Sequence, residues 1–277
     1  MLNDALPWLD IRPREDFERG HFARAVCVPW TLLQQCLNAL PAPPAKLNLL
    51  AKAEDLAQAC EYLAQKGYQL GECLSDSSPL LLAGLPISTA CLRLWTPNPL
   101  LTQVCAEGLL RGKTALDLGC GGGREAVFLA QQGWQVCAMD NQPRVLQCAQ
   151  YLASSEGVRV DWRCADLREA GQRPDGLFDL ILIMRFLNRD LFAYIRNHLA
   201  PGGQVLIQTF CEGVELFGSP KNPNFILKRG ELAKEFAAFE VIVDKIESLA
   251  DGRPVASFLA RRPKGEEDAR DDRERII

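Results

Sequence analysis

Between residues 117 and 123 the chain reads Asp117-Leu-Gly119-Cys-Gly121-Gly-Gly123. Alternate glycines behind an acid suit one kind of chemistry. They let a backbone turn tightly and approach a bound group with no Cβ in the way. The residues ahead, Thr114–Leu118, form a short apolar run of strand type. The residues behind, Arg124–Gln132, have helical spacing, with Val127, Leu129 and Ala130 as core positions. A helix that starts right after such a loop offers free N–H groups and a positive dipole end to a negative ligand. The next strand, Gln135–Met139, runs into Asp140, where a carboxylate can accept hydrogen bonds from two ribose hydroxyls. Loop, acid and strand order agree on a nucleotide-like ligand. The dinucleotide spacing G-x-G-x-x-G fails at its third glycine, where Arg124 stands, and no G-K-[ST] follows for a triphosphate loop.

Other chemistries find less support. The chain has 11 cysteines and 2 histidines, with no C-x-x-C, so no zinc site and no other metal centre is expected. Most of the cysteines read as small buried apolar residues, Cys211 included. Lys and Arg total 31 against 35 Asp and Glu, interspersed along the chain, so the basic block that attracts nucleic acid is missing. No apolar run is long enough to span a bilayer. The opening MLNDALPWLD has no basic stretch leading into an apolar one, so no secretory signal is expected and the cytoplasm is the expected location.

The elements that must position these residues alternate. After the helix following Gly123, a third strand is expected at Arg159–Cys164, a fourth at Asp179–Met184 and a fifth at Gln204–Thr209. Helices are expected from Pro143 to about Ser155, over Leu191–Leu199 and over Gly230–Phe236. Phe239–Leu249 and Val255–Ala260 flank Asp251-Gly252-Arg253 and read as an antiparallel hairpin. Repeated strand–helix units imply a parallel sheet covered on both faces. The expected divisions are residues 1–75, a Ser- and Pro-rich linker at 76–99, a large domain at 100–262 and a charged flexible tail at 263–277.

The form D-x-G-x-G-x-G resembles the class I S-adenosylmethionine-dependent methyltransferases. Ala165-Asp166, Phe178-Asp179 and Leu199-Ala-Pro-Gly-Gly203 stand in the matching order. The resemblance implies an α/β fold with a Rossmann-like, seven-stranded, mostly parallel sheet ending in an antiparallel hairpin, and S-adenosyl-L-methionine as cofactor. It implies that Gly119, Gly121 and Gly123 pass under the methionine part and that Asp117 braces the loop. Asp140 would hold the ribose, with Asn141 beside it. Asp166 and Leu167 would hold the adenine, and Met184 would complete the set. The sulfonium is already activated, so in-line positioning of the acceptor supplies most of the catalysis. Met184-Arg185-Phe-Leu-Asn188 replaces the Asn/Asp-Pro-Pro-aromatic motif of adenine N-methylation. The Pro- and Asn-rich stretch after Thr209 resembles that of the tellurite-resistance (TehB-like) methyltransferases of small molecules. Arg185, Asn188 and Lys221 are the candidates on the substrate side, and the acceptor is expected to be a small molecule, with thiol, selenium and tellurium nucleophiles in view.

Residues 8–30, with Asp10-Ile-Arg12, an acidic helix and Gly20-His21, resemble the opening of a rhodanese domain, a small α/β module. His21 is read as organising the turn after Gly20. The persulfide cysteine of that family should follow the strand Leu47–Leu50, but Ala51-Lys-Ala-Glu-Asp55 stands there. Cys60 falls on a helical face with Leu56 and Leu63 and reads as core. This module is therefore expected to lack sulfurtransfer and to serve docking, a protein partner or self-association. The rival readings are an RNA or protein methyltransferase recruited through this module, and a non-catalytic cofactor-binding regulator.

Overall fold

Short apolar runs form strands and amphipathic ones form helices across the residues that the computed structural model describes, 6–23, 25–77 and 94–264. The chain divides into two compact units, Met1–Thr96 and Pro97–Ile277. The first unit carries a four-stranded parallel sheet of β1 (Trp8–Asp10), β2 (Ala25–Cys27), β3 (Lys46–Ala51) and β4 (Gln69–Ser75), in the order β2-β1-β3-β4. Parallel neighbours need crossover connections, and α1 (Arg14–Arg19), α2 (Trp30–Leu33) and α3 (Leu56–Gln65) lie in them.

The Asp10-Ile-Arg12 motif is structural here. Asp10 and Arg12 are buried and pair at 2.7 Å, and the Arg12 Nη2 also donates to the Gly20 carbonyl at 2.8 Å. Removing one member of such a buried pair would strand the other charge. The His21 ring stacks on Phe17 at 3.8 Å, and its Nδ1 lies 3.0 Å from the Phe17 carbonyl, which can only accept. His21 thus pins the turn after Gly20. In α3 the buried stripe is Ala59 and Leu63, and Cys60 is only half-buried, one position around the helix from the expected core face.

Asn98 and Pro99, expected in the linker, open the second unit. Asn98 caps α4 (Pro99–Ala106) by accepting from the Leu100 amide at 2.9 Å. Residues 78–93 of the expected linker, and 265–277 of the expected tail, lie outside the described residues. There follow β5 (Thr114–Leu118), α5 (Arg124–Gln131), β6 (Gln135–Asp140), α6 (Pro143–Ser155), β7 (Asp161–Cys164), β8 (Phe178–Met184), α7 (Asp190–His198), β9 (Leu199–Phe210), α8 (Glu231–Glu235), β10 (Glu240–Ser248) and β11 (Pro254–Arg261).

These strands form a seven-stranded sheet in the order β10-β11-β9-β8-β5-β6-β7. The five strands from β5 to β9 are parallel, and β11 and β10 are antiparallel, as the sequence led us to expect. Alternation along the strands splits the core in two. Leu116, Ile181, Ile183 and Ile207 face α7 and α8, packing with Leu191, Phe192 and Phe236. Ala115, Leu180, Leu182 and Leu206 face the other way, with Leu101 of α4, Leu129 of α5 and Leu146 of α6. Each fully buried Leu or Ile contributes roughly 1.5–3 kcal/mol, so β8, buried on both faces, anchors the sheet.

The third strand starts later than expected, at Asp161, and the fifth runs longer, because the Pro-Gly-Gly stretch packs into it. A Cβ on Gly203 would meet the Ala200 carbonyl at 2.8 Å, so the chain closes up there instead of looping out.

Candidate functional site

Parallel strands bring their C-terminal ends to one edge, and ligands of such sheets bind there. At this edge β5 leads into the glycine loop, β6 into Asp140, β7 into Asp166 and β8 into Arg185. A cavity of about 850 Å³ lies between them. It is lined by Gly119, Gly121, Asp140, Asn141, Asp166, Leu167, Met184, Arg185 and Asn188, all anticipated from the sequence. Phe186, Arg189 and Phe225 line it as well; Phe186 and Phe225 lie in stretches the sequence singled out, but none of the three was a candidate.

Three anticipated residues lie elsewhere. Lys221 sits on an exposed loop away from the cavity wall. Gly123 has φ 77°, and a Cβ there would strike Trp162 at 2.5 Å and Ala149 at 2.7 Å. Packing beneath the loop requires that glycine. Asp117 is 1% exposed and stands behind the loop instead of lining the cavity.

The glycine loop is tied to β6. The Gly119 and Cys120 amides both donate to the Met139 carbonyl at 2.9 Å. Asp140 accepts from the Gly121 amide at 3.0 Å with one oxygen and from the Gln142 amide at 2.9 Å with the other. Gly121, at φ 53°, has open space where a Cβ would stand, as close approach of a ligand requires.

The Asp117 Oδ2 is buried and has no hydrogen-bond partner. Burial, and then the charges of Glu125 and Asp140, push this carboxyl well above its usual range. The first cause disfavours the ionised form of Asp117, and only the second, the two neighbouring carboxylates, favours a cation nearby. Asp166 is the opposite case. The Arg168 guanidinium, bonded to it at 2.6 Å, holds its pKa at about 2.

The far wall is built by Arg189. Its guanidinium pairs with Glu231 of α8 through both oxygens, and donates to the carbonyls of Asn224 at 3.0 Å and Ile226 at 2.9 Å. It thus straps the loop carrying Phe225 against the cavity. Burial alone would raise Glu231, but Arg189 and the Lys228 amide bring it below its ordinary value. The Asn188 Oδ1 accepts from the Asp190 amide at 3.0 Å and starts α7. Cys211 is fully buried at the end of β9, and burial raises its thiol, so it is a packed residue. Among the described residues no group of three His, Cys, Asp or Glu is placed to hold a metal. No described helix is long and apolar enough to cross a membrane.

Residues 115–203 match the family model for a methyltransferase domain. The second unit is a methyltransferase domain. The cofactor that the sequence resemblance implies for it is S-adenosylmethionine. The residues present fit that group, with an open-faced glycine, an acid at the end of β6 and an orphaned buried carboxyl oxygen.

A ubiquinone biosynthesis O-methyltransferase of Xanthomonas campestris pv. campestris is 34% identical over 118 residues, 40% of this chain and 49% of that one. The chain thus spans about half the length of this relative. An uncharacterized protein of Schizosaccharomyces pombe is 25% identical across 92% of this chain and 93% of its own. Among solved structures, TehB from Haemophilus influenzae superposes with a TM-score of 0.52 at 20% identity, covering 66% of each chain. That likeness shows the fold of the methyltransferase unit.

Proposed function

We propose that this protein is a cytoplasmic methyltransferase of a small molecule, with a soft nucleophile (thiol, selenium or tellurium) as acceptor. One observation carries the size of the acceptor. The cavity is about 850 Å³, within the range of small-molecule pockets, and the cofactor must share it. What is left, under the Arg189-strapped loop, suits a small molecule better than a polymer. The Pro- and Asn-rich loop and the TehB-like fold support the group resemblance.

When bound, the cofactor supplies an activated methyl group. The chain's part is to bind and orient. Asp140 and Asn141 would hold the ribose, and Asp166 and Leu167 the adenine. The acidic surroundings of Asp117 would favour the cofactor's positive charges, and Phe186 and Phe225 would exclude water beside the acceptor. The first unit is a rhodanese-like module without sulfurtransfer in the same reading, and it serves a protein partner or self-association. Its buried Asp10–Arg12 pair and the His21 turn support that likeness.

Labelled S-adenosylmethionine incubated with a panel of small thiols, with RNA and with cell extract tests the proposal. Label should pass to a small product. Label found only in RNA or protein would overturn the small-molecule reading, and none anywhere would favour the regulator.

A further inference from the structure

The arginines around the cavity are mostly neutralised. Arg168 and Arg189 pair with Asp166 and Glu231, and nearby Arg253 pairs with Asp251 at 2.7 Å. Arg185 is different. Its Nε donates to the neutral amide oxygen of Gln208 at 3.1 Å, and its guanidinium leans over the Phe210 ring at 5.6 Å. No carboxylate among the described residues lies within ion-pair distance of it. The side chain is exposed and lines the cavity.

The backbone is committed to this placement. Arg185 has φ 60°, the one positive φ among the described residues other than glycine. A residue with a Cβ holds that conformation only when its surroundings impose it. Here the Arg185 amide donates to the Gln208 carbonyl at 2.7 Å. The Gln208 side chain has no alternative arrangement. Its Nε2 donates to the Ser257 hydroxyl at 2.8 Å, and that hydroxyl donates to Glu247 at 2.8 Å. Its oxygen therefore faces Asn98 Nδ2, at 2.8 Å, and Arg185. A buried polar chain fixes the stem of one cation that lines the cavity.

The sheet order sets this cation apart from the residues assigned to the cofactor. The ribose acid ends β6 and the adenine acid follows β7, on one side of the glycine loop of β5. Arg185 directly follows β8, on the other side, and is bonded to Gln208 of β9.

Resting on the methyltransferase reading, we propose that the acceptor carries an anionic group, a carboxylate or comparable oxyanion, and that Arg185 binds it and sets acceptor specificity. The test uses the full chain saturated with S-adenosylhomocysteine, whose binding is first measured by calorimetry. Phenylacetate and neutral phenylacetamide are then titrated as probes. The acid should bind at least about 10-fold tighter than the amide, the scale of one charged hydrogen-bonded contact. Arg185→Met should erase that preference, and Arg185→Lys should keep part of it. Both variants should melt like the parent and hold S-adenosylhomocysteine within about 2-fold of it.

Equal binding of acid and amide, no binding of either, or a preference that survives in Arg185→Met would overturn the inference. A matching loss of cofactor affinity in Arg185→Met would overturn it too, because the cation would then serve the cofactor's own carboxylate. Failure of the parent protein to bind S-adenosylhomocysteine would instead sink the methyltransferase reading itself.

Discussion

Asp140 holds two amides of its own chain, those of Gly121 and Gln142, before any ligand arrives. A carboxylate keeps further lone pairs for ribose hydroxyls. Asp140→Ala should therefore act twice. Cofactor affinity should fall roughly 10- to 1,000-fold, at about 1.4 kcal/mol per decade. The free protein should also lose about 1–2 kcal/mol, because two loop amides lose their acceptor. Asp140→Asn keeps one acceptor oxygen and should lose less of both. Calorimetric titrations, alongside melting without ligand, check this, and unchanged affinity in both variants would defeat the ribose assignment. The sequence made Asp140 legible because an acid at a strand end after a glycine loop is a local pattern. It could not tell that Gly123 answers to Trp162, or that Lys221 lies outside the cavity lining, because those facts depend on residues far along the chain.

Strand and helix identities in the second unit followed from period and punctuation, and most boundaries fell within two residues. The cavity wall after β9 was harder to read. Its loop has no periodicity, and its shape depends on Arg189 reaching across to Glu231. That strap makes a pH prediction. The folded pKa of Glu231 lies below its unfolded value of about 4.3, so its contribution is complete above that pH and is lost as pH falls through the lower folded value. Arg189 is about a third exposed, so solvent screening keeps the strap to about 1 kcal/mol. Between pH 7 and 5 the Glu231→Gln variant should be less stable than the parent by that amount, and below about pH 4 the gap should narrow. Limited proteolysis within residues 212–230 reads the same change locally. A gap independent of pH would show that the ion pair is not what holds the loop.

On the scale of the whole chain, each unit answers to its own sheet. In the first, β3 ends at Ala51 and a turn leads to α3, with no cysteine in between. Thiosulfate:cyanide sulfurtransfer should be absent, as a cyanide assay of the full chain would show. Turnover that vanished in Cys60→Ala would place an active thiol on α3 after all. The fold of this unit was hard to read from pattern, because its first two strands have only three residues each. In the second unit, the amides of Gly119, Cys120 and Gly121 are all bonded to β6 residues without a ligand. The cofactor cradle is therefore tied to the sheet before any ligand arrives and is not a segment that orders on contact. In deuterium exchange those three amides should be slow already in the free protein, and saturating S-adenosylhomocysteine should slow them little more. Protection that appeared only with ligand would mean that binding has to purchase its own order. If the cradle is rigid from the start, the conformational entropy lost on binding falls mainly on the cofactor and spares the chain.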